Sequence, residues 1–187
     1  MLCDLAEVHT RLWISGFRSR PDVDAVLKTM QARFPGVAVQ VADLDHVPGS
    51  RYARLAALNA IKSFHSQQPI ARSLGMEILL YLAGSRQIGE AIERVGVNTN
   101  TQRIMAIMTG ASEQDLKPAV ELFNQLMGST SEDDLLDNWS RERLRKVQST
   151  FDIGPRELGA TLRANETLAE ATERLAIERS AMLTVRK

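Results

Sequence analysis

The sequence predicts an α+β protein, with a small mixed or antiparallel sheet packed with about six or seven helices, the last of them long. Three observations carry that expectation. β-Forming runs are few, at Thr10 to Phe17, Val37 to Leu44 and Gln102 to Thr109. Helical periodicity fills the irregular intervals between them, and 187 residues suit one domain, 1–187. The closing stretch keeps a helical pattern from about Asn165 to Val185.

Each element has its own local reason. Pro21-Asp22 opens a helix to about Phe34, with Val23, Val26, Leu27 and Met30 on one face. Pro35-Gly36 breaks it and releases the second strand, which completes a strand–helix–strand unit within 1–50. After a loop from Asp45 to Ser50, a helix runs from Arg51 to His65 with Leu55, Leu58 and Ile61 as its apolar side. A helix from Ala71 to Ala83 follows, ended by Gly84 in a left-handed conformation. Ser85 is placed to cap the next helix, which Gly96 stops after Val95. Ser112, with Glu113 and Asp115 behind it, caps a helix to Met127. Asp133 to Trp139 reads either as a short edge strand or as a loop. Arg141 to Phe151 reads as a helix, and Gly154-Pro155 breaks the chain before the final one.

Composition narrows the function classes. Charges balance at 23 basic and 23 acidic residues, and 44% of residues are hydrophobic, a globular mixture. The longest apolar run, Ile78 to Ala83, is far short of the roughly 20 residues that span a bilayer. No basic-then-apolar start resembles a signal peptide, and the single Cys3 cannot pair internally, so a reducing cytoplasm is expected. The neutral total hides an uneven distribution. Residues 51–103 carry seven Arg or Lys against three Glu, whereas 113–138 carry one Lys against seven acids. A local basic block admits a polyanion partner; it is equally what a solvated helix face looks like.

No enzyme motif stands up. His9, His46 and His65 lie in separate elements without metal spacing. Asp43-Leu44-Asp45-His46 resembles a carboxylate ligand pair, but Asp suits turns at strand ends equally well. Gly84 to Gly89 lacks the Lys-Ser/Thr of a phosphate-binding loop. Glu77 stands in a helix apolar on nearly every side, so it needs partners such as Arg72, Arg86 or the amides near Ser85. It is expected to act as a structural tie between two helices, with a ligand-facing role as the other reading. Arg72-Ser73 and Ser85-Arg86-Gln87 both fall at helix starts, where amides and partial positive charge attract phosphates.

Leu58-Asn59-Ala60-Ile61, Pro69 through Leu79 and Ala83 through Ile92 with Gly96 together resemble the small kinase-binding subunit of the KEOPS complex, the CGI family. The likeness is specific over about 56–109, within a family core of 51–109. It extends to Glu173 through Leu183, which looks like the family's closing helix, 165–185. The stretch 152–164 is longer than the family pattern leads one to expect. The wording Pro-Ile-Ala and Ser-Arg-Gln-Ile is similar to archaeal members. The resemblance implies a non-enzymatic cytoplasmic protein, without cofactor or metal, that supports threonylcarbamoyladenosine modification of tRNA. Such a subunit binds and stimulates the complex's small atypical kinase/ATPase and holds the 3′ CCA end of tRNA. The expected RNA contacts are Lys62, Arg72, Ser73, Ser85, Arg86 and Gln87. The expected kinase interface is Leu168, Ala171, Leu175, Arg179, Met182 and Leu183, on an apolar arc that also includes Val185. Ile177 points away from that arc, and Arg179 sits inside it needing a partner. The alternative is a regulatory domain that binds a phosphorylated small molecule.

Overall fold

Alternating and β-branched residues pair into one antiparallel sheet, which has helices on both faces. In this computed structural model the described residues are 1–19 and 21–185, apart from the side chains of Thr184 and Val185. The strands are β1 (Leu2–Leu5), β2 (Thr10–Phe17), β3 (Ala38–Asp43) and β4 (Ile104–Gly110), in the spatial order β1-β2-β4-β3. Every neighbouring pair is antiparallel, which resolves the open choice between mixed and antiparallel. The fourth strand, β1, has no counterpart in the sequence reading. Four residues show too little alternation to be recognised, and β1 is held by pairing with β2 and by an Asp4–Arg11 ion pair of 3.3 Å.

Among the described residues, eight α-helices surround the sheet: α1 (Val23–Arg33), α2 (Ser50–His65), α3 (Leu74–Ala83), α4 (Ile88–Val95), α5 (Glu113–Met127), α6 (Arg141–Thr150), α7 (Pro155–Thr161) and α8 (Leu168–Val185). Alternation along the strands splits the interior into two cores. Trp13, Phe17, Val41, Ala106 and Met108 face α1 and α5, where Phe17 and Phe123 meet edge-on at 5.5 Å. Leu12, Ile14, Ala42, Met105 and Ile107 face the larger core under α2, α3 and α8. Ser112 and Asp115 form a reciprocal capping box at the start of α5.

The departures from expectation have physical reasons. Gly154-Pro155 does not simply break the chain but starts α7, since Pro at the first helical position lacks only an amide that would be unpaired anyway. The expected edge strand or loop near Asp133 is a short 3-10 turn, Asp133–Leu135. It crosses β2 so closely that a β-carbon at Gly16 would lie 2.7 Å from Leu135 Cβ. The apolar side of α2 is built mostly of Ala53, Ala56, Ala57 and Ala60, with Tyr52 and Ile61, whereas Leu55 and Leu58 are only half-buried. Small side chains there let α2 lie close to α3. α8 starts at Leu168, after a capping exchange in which Thr167 N donates to the Glu170 carboxylate and Glu170 N to Thr167 Oγ1.

Arg143 on α6 is a fixture that the sequence did not single out. It is fully buried, and its guanidinium donates to the carbonyls of Leu135, Leu136, Asn138 and Val47 at 2.8–3.1 Å. Its guanidinium carbon lies 5.2 Å from the centre of the Trp139 ring. Burial lowers its pKa to about 10, so it stays charged at neutral pH. Arg143→Met is expected to cost about 3–5 kcal/mol, because several carbonyls lose their donor together. The measurement is a fall in urea midpoint at unchanged slope; a change below about 1 kcal/mol would show that water replaces the guanidinium.

Candidate functional site

The connection from α2 to α3 shapes the region that holds most of the basic block. α2 ends at His65, and the chain then passes through Ser66 to Ser73. Ser73 caps α3, its Oγ accepting from Met76 N at 3.3 Å, so the helix starts at Leu74 and not at Ala71. Glu77 is fully buried, and its carboxylate folds back onto this connector. It accepts from Ile70 N at 2.9 Å and Ala71 N at 2.7 Å. The partners expected from sequence, Arg72, Arg86 and the amides near Ser85, are not the ones it uses. The carboxylate was close enough to reach its own upstream backbone, seven residues back. That geometry satisfies the charge without a cation.

Gly84, at φ +64°, reverses the chain at the end of α3. Ser85 is buried and does not cap α4; its hydroxyl donates to the Glu90 carboxylate and accepts from Gln87 N at 3.1 Å. Gln87 takes the N-cap position of α4 without a side-chain bond. Arg86 reaches across to α8, where Nη1 donates to Leu183 O at 2.9 Å. The result is a cleft of about 550 Å³ lined by Lys62, Ser63, Gln68, Ile70, Tyr81 and Arg86, with Ser66 and Leu183 at its sides. Burial raises the Tyr81 phenol above its ordinary pKa, so it remains a neutral donor at the cleft wall. Lys62 is paired with Glu7 at the surface.

Of the six residues expected on RNA, Lys62 and Arg86 line this cleft. Arg72 and Gln87 are exposed nearby in sequence. Ser85 is turned inward to Glu90, and Ser73 lines a different cleft on the far side of the connector. Sequence reasoning missed Gln68 and Tyr81, since neither a lone Gln in a connector nor a Tyr in an apolar helix signals a polar wall. The exposed apolar pair Ile88 and Ile92, one turn apart on α4, also went unremarked.

α8 divides differently from expectation. Ala171, Leu175 and Leu183 are buried in the chain's own core and so are not free for a partner, which corrects that part of the expected interface. Ile177 packs against the same core instead of facing away. Leu168 and Met182 remain exposed, at 50% and 44%. The Val185 side chain lies outside the described residues. Arg179 meets Glu157 of α7 in a two-pronged pair at 2.9 and 3.1 Å, and also Asp152 O. That hydrogen bonding holds Glu157 below the usual carboxylate range. So the long 152–164 stretch supplies α7, which gives Arg179 its partner and sends Leu158 into the core.

The Asp43–His46 segment is consumed by structure. Asp43 accepts from Asp45 N and from the Thr101 hydroxyl, Asp45 pairs with Arg103 and Lys146, and His46 Nδ1 meets Thr150 Oγ1 at 2.8 Å. Among the described residues, no group of three His, Cys, Asp or Glu is arranged for a metal, and no helix is long and apolar enough to cross a membrane. Glu77→Ala is expected to cost about 1–3 kcal/mol in thermal or urea unfolding by leaving two amides bare. Hydrogen exchange at Ile70 and Ala71 should speed up beyond the global change; uniform exchange would show the connector is held by other contacts.

The family model described as Kinase binding protein CGI-121 matches residues 22–184. The chain is 30% identical over 119 residues to "Regulatory protein Cgi121" of Methanocaldococcus jannaschii, covering 63% of this chain and 72% of that protein. With nearly the whole chain from α1 to α8 inside the family match, this protein belongs to the CGI-121 family of kinase-binding proteins.

Proposed function

We propose that this kinase-binding regulatory protein is a non-catalytic accessory subunit of the KEOPS type, which holds the 3′ CCA end of tRNA and stimulates an atypical kinase/ATPase in the cytoplasm. The single observation that supports the RNA half is the cleft in which Lys62 and Arg86 meet beside Gln68 and Tyr81. Two cations suit a backbone of phosphates, while the exposed Gln68 amide suits the edge of an unpaired base. For the kinase half, the proposed docking surface is the two ends of the α8 arc, where Leu168 and Met182 stay exposed while Ala171, Leu175 and Leu183 on the same arc are committed to the core.

Two outcomes test this reading. Lys62→Glu and Arg86→Glu should each weaken tRNA binding about tenfold or more and lower the salt dependence, while Arg72→Glu has a smaller effect. Binding by gel shift or anisotropy should also fall for tRNA without its CCA tail; equal binding of the two RNAs would remove the assignment. Met182→Glu should leave the melting temperature unchanged yet abolish capture and stimulation of the kinase. Leu175→Glu, by contrast, should unfold the chain, because it places a charge in the core. Normal kinase binding by the folded Met182 variant would move the interface away from α8.

A further inference from the structure

Both cations of the RNA cleft are already engaged within the chain. Arg86 donates to Leu183 O, and Lys62 donates to the carboxylate of Glu7, in a pair whose side chains are both exposed. Glu7 comes from outside the cleft, since no acidic side chain is among the described residues that line it. It stands in the 3-10 turn Ala6–Val8, between β1 and β2. On either side of it, Leu5 and Val8 are buried in the larger core. His9, at φ +49°, then turns the chain into β2. The turn is pinned at both ends, and Glu7 is presented to the outer face of α2 by construction.

As a fastener the pair does little. An exposed ion pair contributes little to stability, and the turn already has its two core anchors. Its effect on a ligand is larger, because Lys62 is one of the two cations that line the cleft. The hydrogen bond from Lys62 holds Glu7 below the usual carboxylate range, so at neutral pH it is ionised. A phosphate approaching Lys62 therefore meets a carboxylate already in place, and like charges on one ammonium repel. Removing the carboxylate strands no charge. Arg54, exposed on α2 about two turns before Lys62, also acts on Glu7 electrostatically and offers it a second partner.

We infer that Glu7 is a tethered competitor of the RNA backbone: its carboxylate holds the place of one phosphate on Lys62, and RNA enters the cleft by displacing it toward Arg54. The inference rests on the RNA reading of the cleft. It adds a selectivity that the two cations alone lack. A lone anion on Lys62 only exchanges one carboxylate for one phosphate. A strand that also reaches Arg86 keeps a second contact that Glu7 does not contest. The cleft thereby prefers a chain of phosphates to free anions.

The test is fluorescence anisotropy of the full chain with a single-stranded RNA ending in CCA, at fixed low salt. Lys62→Met should weaken binding, which the RNA reading itself requires. Glu7→Gln should tighten binding about two- to fivefold at an unchanged melting temperature, the size expected of one exposed ion pair. In the Lys62→Met background the same change should do nothing, since the competitor then has nothing to compete for. Arg54→Met should weaken binding when Glu7 is present but not in Glu7→Gln. Normal RNA binding by Lys62→Met removes the RNA reading and the competitor with it. Weakened binding by Lys62→Met, with no tightening in Glu7→Gln, overturns the competitor alone. Tightening of the same size in the Lys62→Met background shows plain repulsion and overturns it too. Equal weakening by Arg54→Met in both chains makes Arg54 an RNA contact and overturns the displacement toward it.

Discussion

The fold is organised by the need to wrap α3. Ile78 through Ala83 are buried without a break, so beyond its first turn this helix has no face to offer to water. α2, α4, α8 and β3 all pack on it. Burying a large aliphatic side chain contributes about 1.5–3 kcal/mol, and α3 buries several at once. The same burial creates a liability at its end, where the last carbonyls of a helix have no partner within it. Tyr52 and Ser180 resolve it from two sides, their hydroxyls donating to Tyr81 O, with Tyr52 also reaching Leu82 O. One helix thereby dictates a tyrosine on α2, a serine on α8 and a glycine reversal at its own exit.

Elements whose signals are local were legible in the sequence. Thr10–Phe17 alternates between two buried faces, Ser112 and Asp115 carry a reciprocal cap, and Gly84 supplies the one conformation that lets α3 turn back. Elements fixed by distant partners were not legible. β1 exists because β2 pairs with it, and the Ala face of α2 is defined by how near α3 lies. Arg143 reads as one more charge on a polar helix until three carbonyls of the 135–138 stretch and that of Val47 converge on it.

The site followed the same division. Basic residues at helix starts could be located by eye, and Lys62 and Arg86 do line one cleft. Which way each serine turns could not. Ser85 had a carboxylate within reach at Glu90, and a short hydrogen-bonding side chain takes the nearest strong acceptor. Glu77 likewise preferred backbone amides upstream to any arginine. Along α8 the spacing grouped Ala171, Leu175 and Leu183 on one arc but set Ile177 apart from the core it packs against, and spacing alone does not say whether an arc faces its own core or a partner. The structure gives most of that arc to the core and leaves Leu168 and Met182 outside.

The sheet has a different consequence through the split it imposes on the interior. α5 packs Leu116, Ala119, Phe123 and Met127 against Trp13 and Phe17, on the face away from α3, and contributes to neither cleft. Contacts separated by a full strand layer act on stability nearly independently, because distant sites share no partners. The aromatic half is therefore the molecule's ballast. Sequence drift in α5 can raise or lower the folded population while the surface around Lys62 and Arg86 keeps its shape.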